Sequence, residues 1–250
     1  MKKPTIWHLV LFTGALFMFS ACSQEETKIP ITTDSEEALE IYHEAMSALE
    51  DVYIPNATAL FGQALEEDPD FFMAAYNLAT LNLYFGNEEE FQKYAEQAMA
   101  SEANLSEGEE IMRSMLEKLM EDPDADVTEL GNRLVEMYPE DPDTYNQLAF
   151  AQIMADDYES AVDTYMKTLE VAEDSAYIYN NLGYAYMELG RMDQARSVFD
   201  RYIEMEPDLP NPYDSRGDYY MRIEDFENAY ESYMRAHEID TTWSYDKAMQ

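Results

Sequence analysis

Chemistry in this chain could come from three sources: a run of alternating carboxylates, three histidines and one cysteine. Asp122, Asp124 and Asp126 alternate as the ligands of a calcium loop would. That loop lacks the glycine its sharp turn requires, and Arg133 stands where a bidentate glutamate should close it. Turn formation accounts for the same residues, because Glu-Asp-Pro-Asp also occurs at 67–70 and 140–143, with Met-Glu-Pro-Asp at 205–208. A proline at such a place ends one helix, and the aspartate after it is expected to cap the next. His8, His43 and His237 are scattered and suggest neither a catalytic pair nor a metal cluster. Carboxylates are so abundant that any two could be called a pair; they read better as solvated helix faces. With no glycine-rich phosphate loop and no nucleophile elbow, no enzyme, catalytic residue, metal or cofactor is expected. Cys22 is the only thiol, and it ends an apolar run instead of lying in a helix of the core.

The elements that would position any functional group are set by a period. Ala161, Ala195 and Ala229 stand 34 residues apart, as do Ala149, Gly183 and Gly217, and as do Tyr165, Phe199 and Tyr233. Small residues let two helices cross closely, and aromatic ones fill the space between, so the pattern predicts a two-helix hairpin copied along the chain.

The unit 176–209, with Tyr179, Leu182, Gly183, Tyr186, Ala195, Phe199 and Pro207, closely resembles the tetratricopeptide repeat; Tyr202 departs from it where a small residue is usual. Units 210–243 and 142–175 follow the same code. Upstream, Ala57, Phe61, Ala64 and Pro69 hold the second half of a copy at 38–71, and Ala57 precedes Ala161 by three periods plus two residues. A copy from Phe72 matches more weakly. The stretch 108–141 keeps two amphipathic runs but places Met115, Val127 and Gly131 at the key positions. The resemblance implies an all-α, right-handed superhelical solenoid of about six hairpins over residues 35–243, with 244–250 a short C-terminal segment.

Met1, Lys2 and Lys3 precede an apolar run from Ile6 to Ala21, so residues 1–21 read as a secretory signal. Ser20 and Ala21 before Cys22 resemble the lipobox of bacterial lipoproteins, with Phe19 in place of the usual leucine. That resemblance implies acylation of Cys22 and attachment to a membrane. Ser23, Gln24, Glu25 and Glu26 are similar to the acidic signal that sends Bacteroidota lipoproteins to the outer face of the outer membrane; a solvated tether on the periplasmic face is the alternative. Residues 22–34 are polar and are expected to form a flexible leash.

A formal charge of −38 opposes binding to phosphate backbones and anionic lipid surfaces. Nucleic acid is therefore excluded as a partner. A lone cysteine allows no disulfide within the chain.

A solenoid of this resemblance has a groove lined by the first helix of every hairpin, where inward positions fall four apart. Here they read Asn146, Phe150 and Met154, then Asn180, Tyr184 and Glu188, then Asp214, Asp218 and Arg222, with Asp143, Tyr177 and Asn211 one turn earlier. Met73, Tyr76, Thr80 and Tyr84 add an upstream copy. Aromatic anchors beside acids suit a protein segment with basic and aromatic groups. Family members that clamp a C-terminal carboxylate use Lys and Arg, where this chain has Asn146, Asn180 and Asp214. The expected role is a non-catalytic, membrane-anchored scaffold for an envelope complex, similar in architecture to pilotins and outer-membrane assembly lipoproteins. A surface lipoprotein binding a glycan or another nutrient is the alternative. With only 244–250 after the last hairpin, Tyr230, Tyr233 and Met234 are expected to be partly uncovered, a surface for self-association.

Overall fold

The computed structural model describes residues 27–249, which are all-helical with no strand among them. Helices pair in chain order: α1 (Glu36–Glu50) with α2 (Ile54–Glu67), α3 (Phe72–Tyr84) with α4 (Glu88–Met99), and α5 (Glu107–Glu121) with α6 (Thr128–Met137). The series continues with α7 (Pro142–Met154) and α8 (Tyr158–Val171), α9 (Ala176–Glu188) and α10 (Met192–Met205), and α11 (Asn211–Arg222) and α12 (Phe226–Ile239). A short α13 (Tyr245–Ala248) follows.

The period is a packing rule. A Cβ at Gly183 would lie 2.3 Å from the Phe199 ring, and one at Gly217 equally close to the Tyr233 ring, so each ring rests directly on backbone. Ala161, Ala195 and Ala229 are fully buried beside them. The turns share the period: Val52, Gly86, Asp156, Gly190 and Glu224 all take positive φ, at the same place in five of the six hairpins. The exception is α5–α6, whose helices meet less closely than α6 meets α7. Met115 and Val127 are nevertheless fully buried there, and Gly131 lets the backbone of Leu148 approach to 2.9 Å of where a Cβ would stand. The connection 100–106 is longer than 68–71, 138–141 and 172–175, and with α3, α5 and α7 starting at 72, 107 and 142 the two extra residues are shared between the spacing before α5 and the spacing after it.

Three expectations are corrected. The aspartate before the proline, not the one after it, makes the turn: Asp68, Asp122 and Asp141 accept from the N–H groups of Asp70, Asp124 and Asp143. Proline has no N–H, so the carboxylate reaches the next one. The second correction concerns the part of the leash within the described residues, which is bound along α5. Ile29 is buried where Gly108 leaves room for it, and its N–H donates to Asp141 at 2.8 Å. The Thr32 N–H and hydroxyl both donate to the fully buried carboxylate of Glu109, at 2.8 and 2.6 Å. Thirdly, Tyr233 is buried, with its hydroxyl donating to Asp218 at 2.7 Å and the Lys247 ammonium of α13 over its ring. Tyr230 does remain exposed. The signal at 1–21, Cys22 and residues 23–26 lie outside the described residues.

The solenoid closes on itself. Tyr53, in the α1–α2 turn, meets Trp243 edge-on with ring centroids 5.6 Å apart. Asp240 lies close enough to Tyr53, and Asp51 close enough to the buried Tyr202, to push both hydroxyls up, after the larger effect of burial.

Candidate binding cavity

Because α7, α9 and α11 are successive first helices, residues 34 apart stand at one level of the inner wall: Asp143, Tyr177 and Asn211, then Asn146, Asn180 and Asp214. Closure brings α1 and α3 opposite them and turns the groove into a cavity of about 760 Å³. That size lies in the range of pockets that enclose a drug-sized ligand.

Of the residues expected to face the groove, Asn146, Phe150, Tyr177, Asn180, Tyr184 and Glu188 line this cavity. Met154 does not; its neighbour Ile153 does, because α7 ends at Met154. Asp214, Asp218 and Arg222 are also outside it. Asp214 accepts from Ser244 and from Lys247, the latter at 2.7 Å, and Asp218 accepts from Lys247 at 3.0 Å and from Tyr184 at 2.7 Å. The acids expected to meet a basic partner are thus held by the chain's own C-terminal lysine. Arg222 pairs with Glu188 at 3.6 Å on the surface. Upstream, Met73 and Tyr84 line the cavity, while Tyr76 is buried with its hydroxyl on Gln147 at 2.7 Å and Thr80 bonds back to the Tyr76 carbonyl.

Tyr42, Met46 and Glu50 of α1 complete the lining and were not singled out from the sequence. The signal was available, since three periods plus two residues separate them from Asn146, Phe150 and Met154. Ile29 and Ile31 gave no such signal, because the segment that carries them precedes the repeats.

Hydrogen bonds fix the polar wall. Asn146 Nδ2 donates to the Tyr177 hydroxyl at 2.7 Å, and Ser215 donates to Asn180 Oδ1 at 2.7 Å. Opposite, Asn77 Nδ2 donates to the Tyr42 hydroxyl at 3.2 Å. Burial holds the Tyr42, Tyr177 and Tyr184 hydroxyls protonated at all ordinary pH. Burial also pushes the Asp143 carboxyl up to about 6, with Asp141 and Glu50 adding to the effect and Lys28 and Asn146 opposing it. Glu50 is likewise raised, first by burial and then by Asp51. Three carboxylates therefore gather in one part of a space lined otherwise by tyrosines, asparagines and apolar side chains such as Met73 and Phe150, with Glu188 also on its wall. Among the described residues no group of histidine, cysteine and carboxylate side chains could hold a metal ion, and no helix is long and apolar enough to cross a membrane.

Residues 176–209 and 211–242 each match the family model of the tetratricopeptide repeat. No curated protein matches the chain. Among solved structures, the crystal structure of TTC0263, a thermophilic TPR protein in Thermus thermophilus, is 19% identical with a TM-score of 0.49, covering 82% of this chain and 92% of its own. The structure named MamA MSR-1 C2 is also 19% identical, with a TM-score of 0.45, covering 68% of this chain and 97% of its own. With two matched repeats inside six stacked hairpins, the described chain is an all-helical solenoid of the tetratricopeptide type.

Proposed function

We propose that the chain is a non-catalytic scaffold that holds a segment of another protein in its central cavity, anchored to the outer membrane of a bacterial envelope by lipid on Cys22. The observation that carries the scaffold reading is the inner wall itself: first helices present Phe150, Tyr177 and Tyr184 beside Asn146 and Asn180 around one cavity. Rings flanked by amides give a peptide both apolar anchors and backbone partners. The size of the cavity favours a short extended segment over a long helix.

A photo-crosslinking residue in place of Tyr184 or Phe150, in the native membrane, tests the role. The reading expects one discrete protein adduct from these positions and none from Glu173 on an exposed connection. Adducts from the outer position alone would overturn it. The anchor is tested separately: Cys22→Ala should release the protein from the membrane fraction and abolish labelling by a fatty-acid analogue. An unlabelled wild-type protein would remove the lipid from the proposal.

A second reading, capture of a glycan or another nutrient, draws on the same tyrosine faces and amides. The carboxylates Glu50, Asp141 and Asp143 at the cavity end weigh against a neutral ligand.

A further inference from the structure

The inner wall holds two acidic sites, and the chain itself shows what one of them binds. Asp214 and Asp218 grip the Lys247 ammonium at 2.7 and 3.0 Å, with the Tyr233 ring 5.5 Å from the nitrogen. At the other end of the wall stand Glu50, Asp141 and Asp143. Asp141 is committed to the N–H groups of Ile29 and Asp143. Glu50 and Asp143 form no ion pair with a described residue.

A second, independent observation comes from α11. Asn211 lines the same cavity at the level of Asp143 and Tyr177, is only 5% exposed, and its Oδ1 has no hydrogen-bond partner. Asn146 Oδ1 is also buried without a partner, its Nδ2 serving Tyr177 and Asp143. Unpaired buried acceptors are costly unless a donor arrives. Carboxylates and amide oxygens are all acceptors, so the ligand group they suit is rich in donors and positively charged. The aromatic rings of Tyr42 and Tyr177 border this end and favour a cation further. A chain charge of −38 adds a field that draws cations in.

We propose that the Glu50–Asp143 end of the cavity is a recognition pocket for the protonated side chain of a lysine or arginine in a short extended peptide. The inference rests on the scaffold reading above and supplies its specificity.

The test uses the full-length protein in detergent and four capped pentapeptides, Gly-Tyr-Xaa-Tyr-Gly with Xaa as Lys, Arg, Gln or Glu, followed by calorimetry. The Lys or Arg peptide should bind roughly tenfold or more tightly than the Gln peptide, and the Glu peptide should not bind. Asp143→Asn and Glu50→Gln should each erase most of that advantage while leaving Gln-peptide affinity unchanged. The advantage should grow from pH 5 to pH 7 as Asp143 ionises, with Glu50, Asp141, Lys28 and the side-cleft His43 the other charged or titratable groups facing it. Equal affinity for the Lys and Gln peptides overturns the pocket, as does butylamine or a neutral trisaccharide binding where no peptide does. Crosslinks from Tyr184 to segments without Lys or Arg would overturn the pocket and leave the scaffold standing. Crosslinks from Glu173 alone would remove the scaffold itself.

Discussion

Asp143 illustrates how a single side chain can oppose the fold it belongs to. Its folded pKa of about 6 lies above the ordinary value of 3.8, so between those values the native chain binds more protons than the unfolded one. Its contribution therefore lowers stability as pH rises from about 4 to 6, and the penalty is fully present at pH 7. Asp143→Asn should raise stability at pH 7 by on the order of 1–3 kcal/mol and flatten the pH 4–6 portion of a denaturation profile; a destabilised variant would contradict this. A purely structural carboxylate would behave oppositely, which makes the measurement informative about binding. Gly183 presents the reverse case. An alanine there meets the Phe199 ring at 2.3 Å, and Gly183→Ala should cost about 1–3 kcal/mol by urea unfolding. That second residue was legible in the sequence from its register. The first was legible as an inward position one turn before Asn146, but its environment was not, since its neighbours Glu50 and Lys28 come from other parts of the chain.

Elements differ in how completely the repeat code specifies them. Five of the six hairpin turns place one residue at positive φ, and glycine, which suits it best, stands there only at Gly86 and Gly190. Glu224 is exposed and holds φ +60 against side-chain sterics, so Glu224→Gly should stabilise by about 0.5–1 kcal/mol, read as a rise in Tm. Unchanged or lower Tm would mean that unfolded-state entropy outweighs the strain. The segment 28–34 behaves as an element although it has no regular structure. Glu109 receives the Thr32 N–H and hydroxyl and the Ser106 N–H, the last closing the capping box of α5. Glu109→Ala leaves those donors unpaired and should cost roughly 1–3 kcal/mol, with protease cleavage before Asp34 becoming faster. A polar composition suggested a leash here; the contact with α5 overrode it because Gly108 and Glu109 offer a fitted groove and a fully buried acceptor.

At the scale of the whole molecule, one seam decides whether there is a groove or a cavity. Tyr53 and Trp243 form it, with Asp51 and Asp240 near by. Removing the ring contact should loosen it, since such pairs contribute about 0.5–1.5 kcal/mol beyond their area. Trp243→Ala is expected to increase the radius of gyration in small-angle scattering with helicity unchanged. Like charges at the seam add a salt dependence: screening should favour the closed form, so the wild-type radius should shrink as salt rises from about 0.01 to 0.15 M. A radius independent of both changes would show that the closure is held elsewhere.

By itself the sequence determined the hairpins, because their code is local: a small residue on one helix and a ring on the next must meet within one repeat, and 34-residue spacing declares that they do. It also determined which face of α7 and α9 turns inward, from Asn146 and Phe150 through to Glu188. Only the tertiary structure decided that the inner face deepens into a cavity, that Lys247 occupies Asp214 and Asp218, and that Ile29 and Glu50 join the lining. Those contacts depend on the rotation accumulated over six hairpins, one of which departs from the code at α5–α6 and follows a lengthened connection. No periodicity relates Tyr53 to Trp243, so their meeting follows from the sum of small packing angles and not from any local pattern.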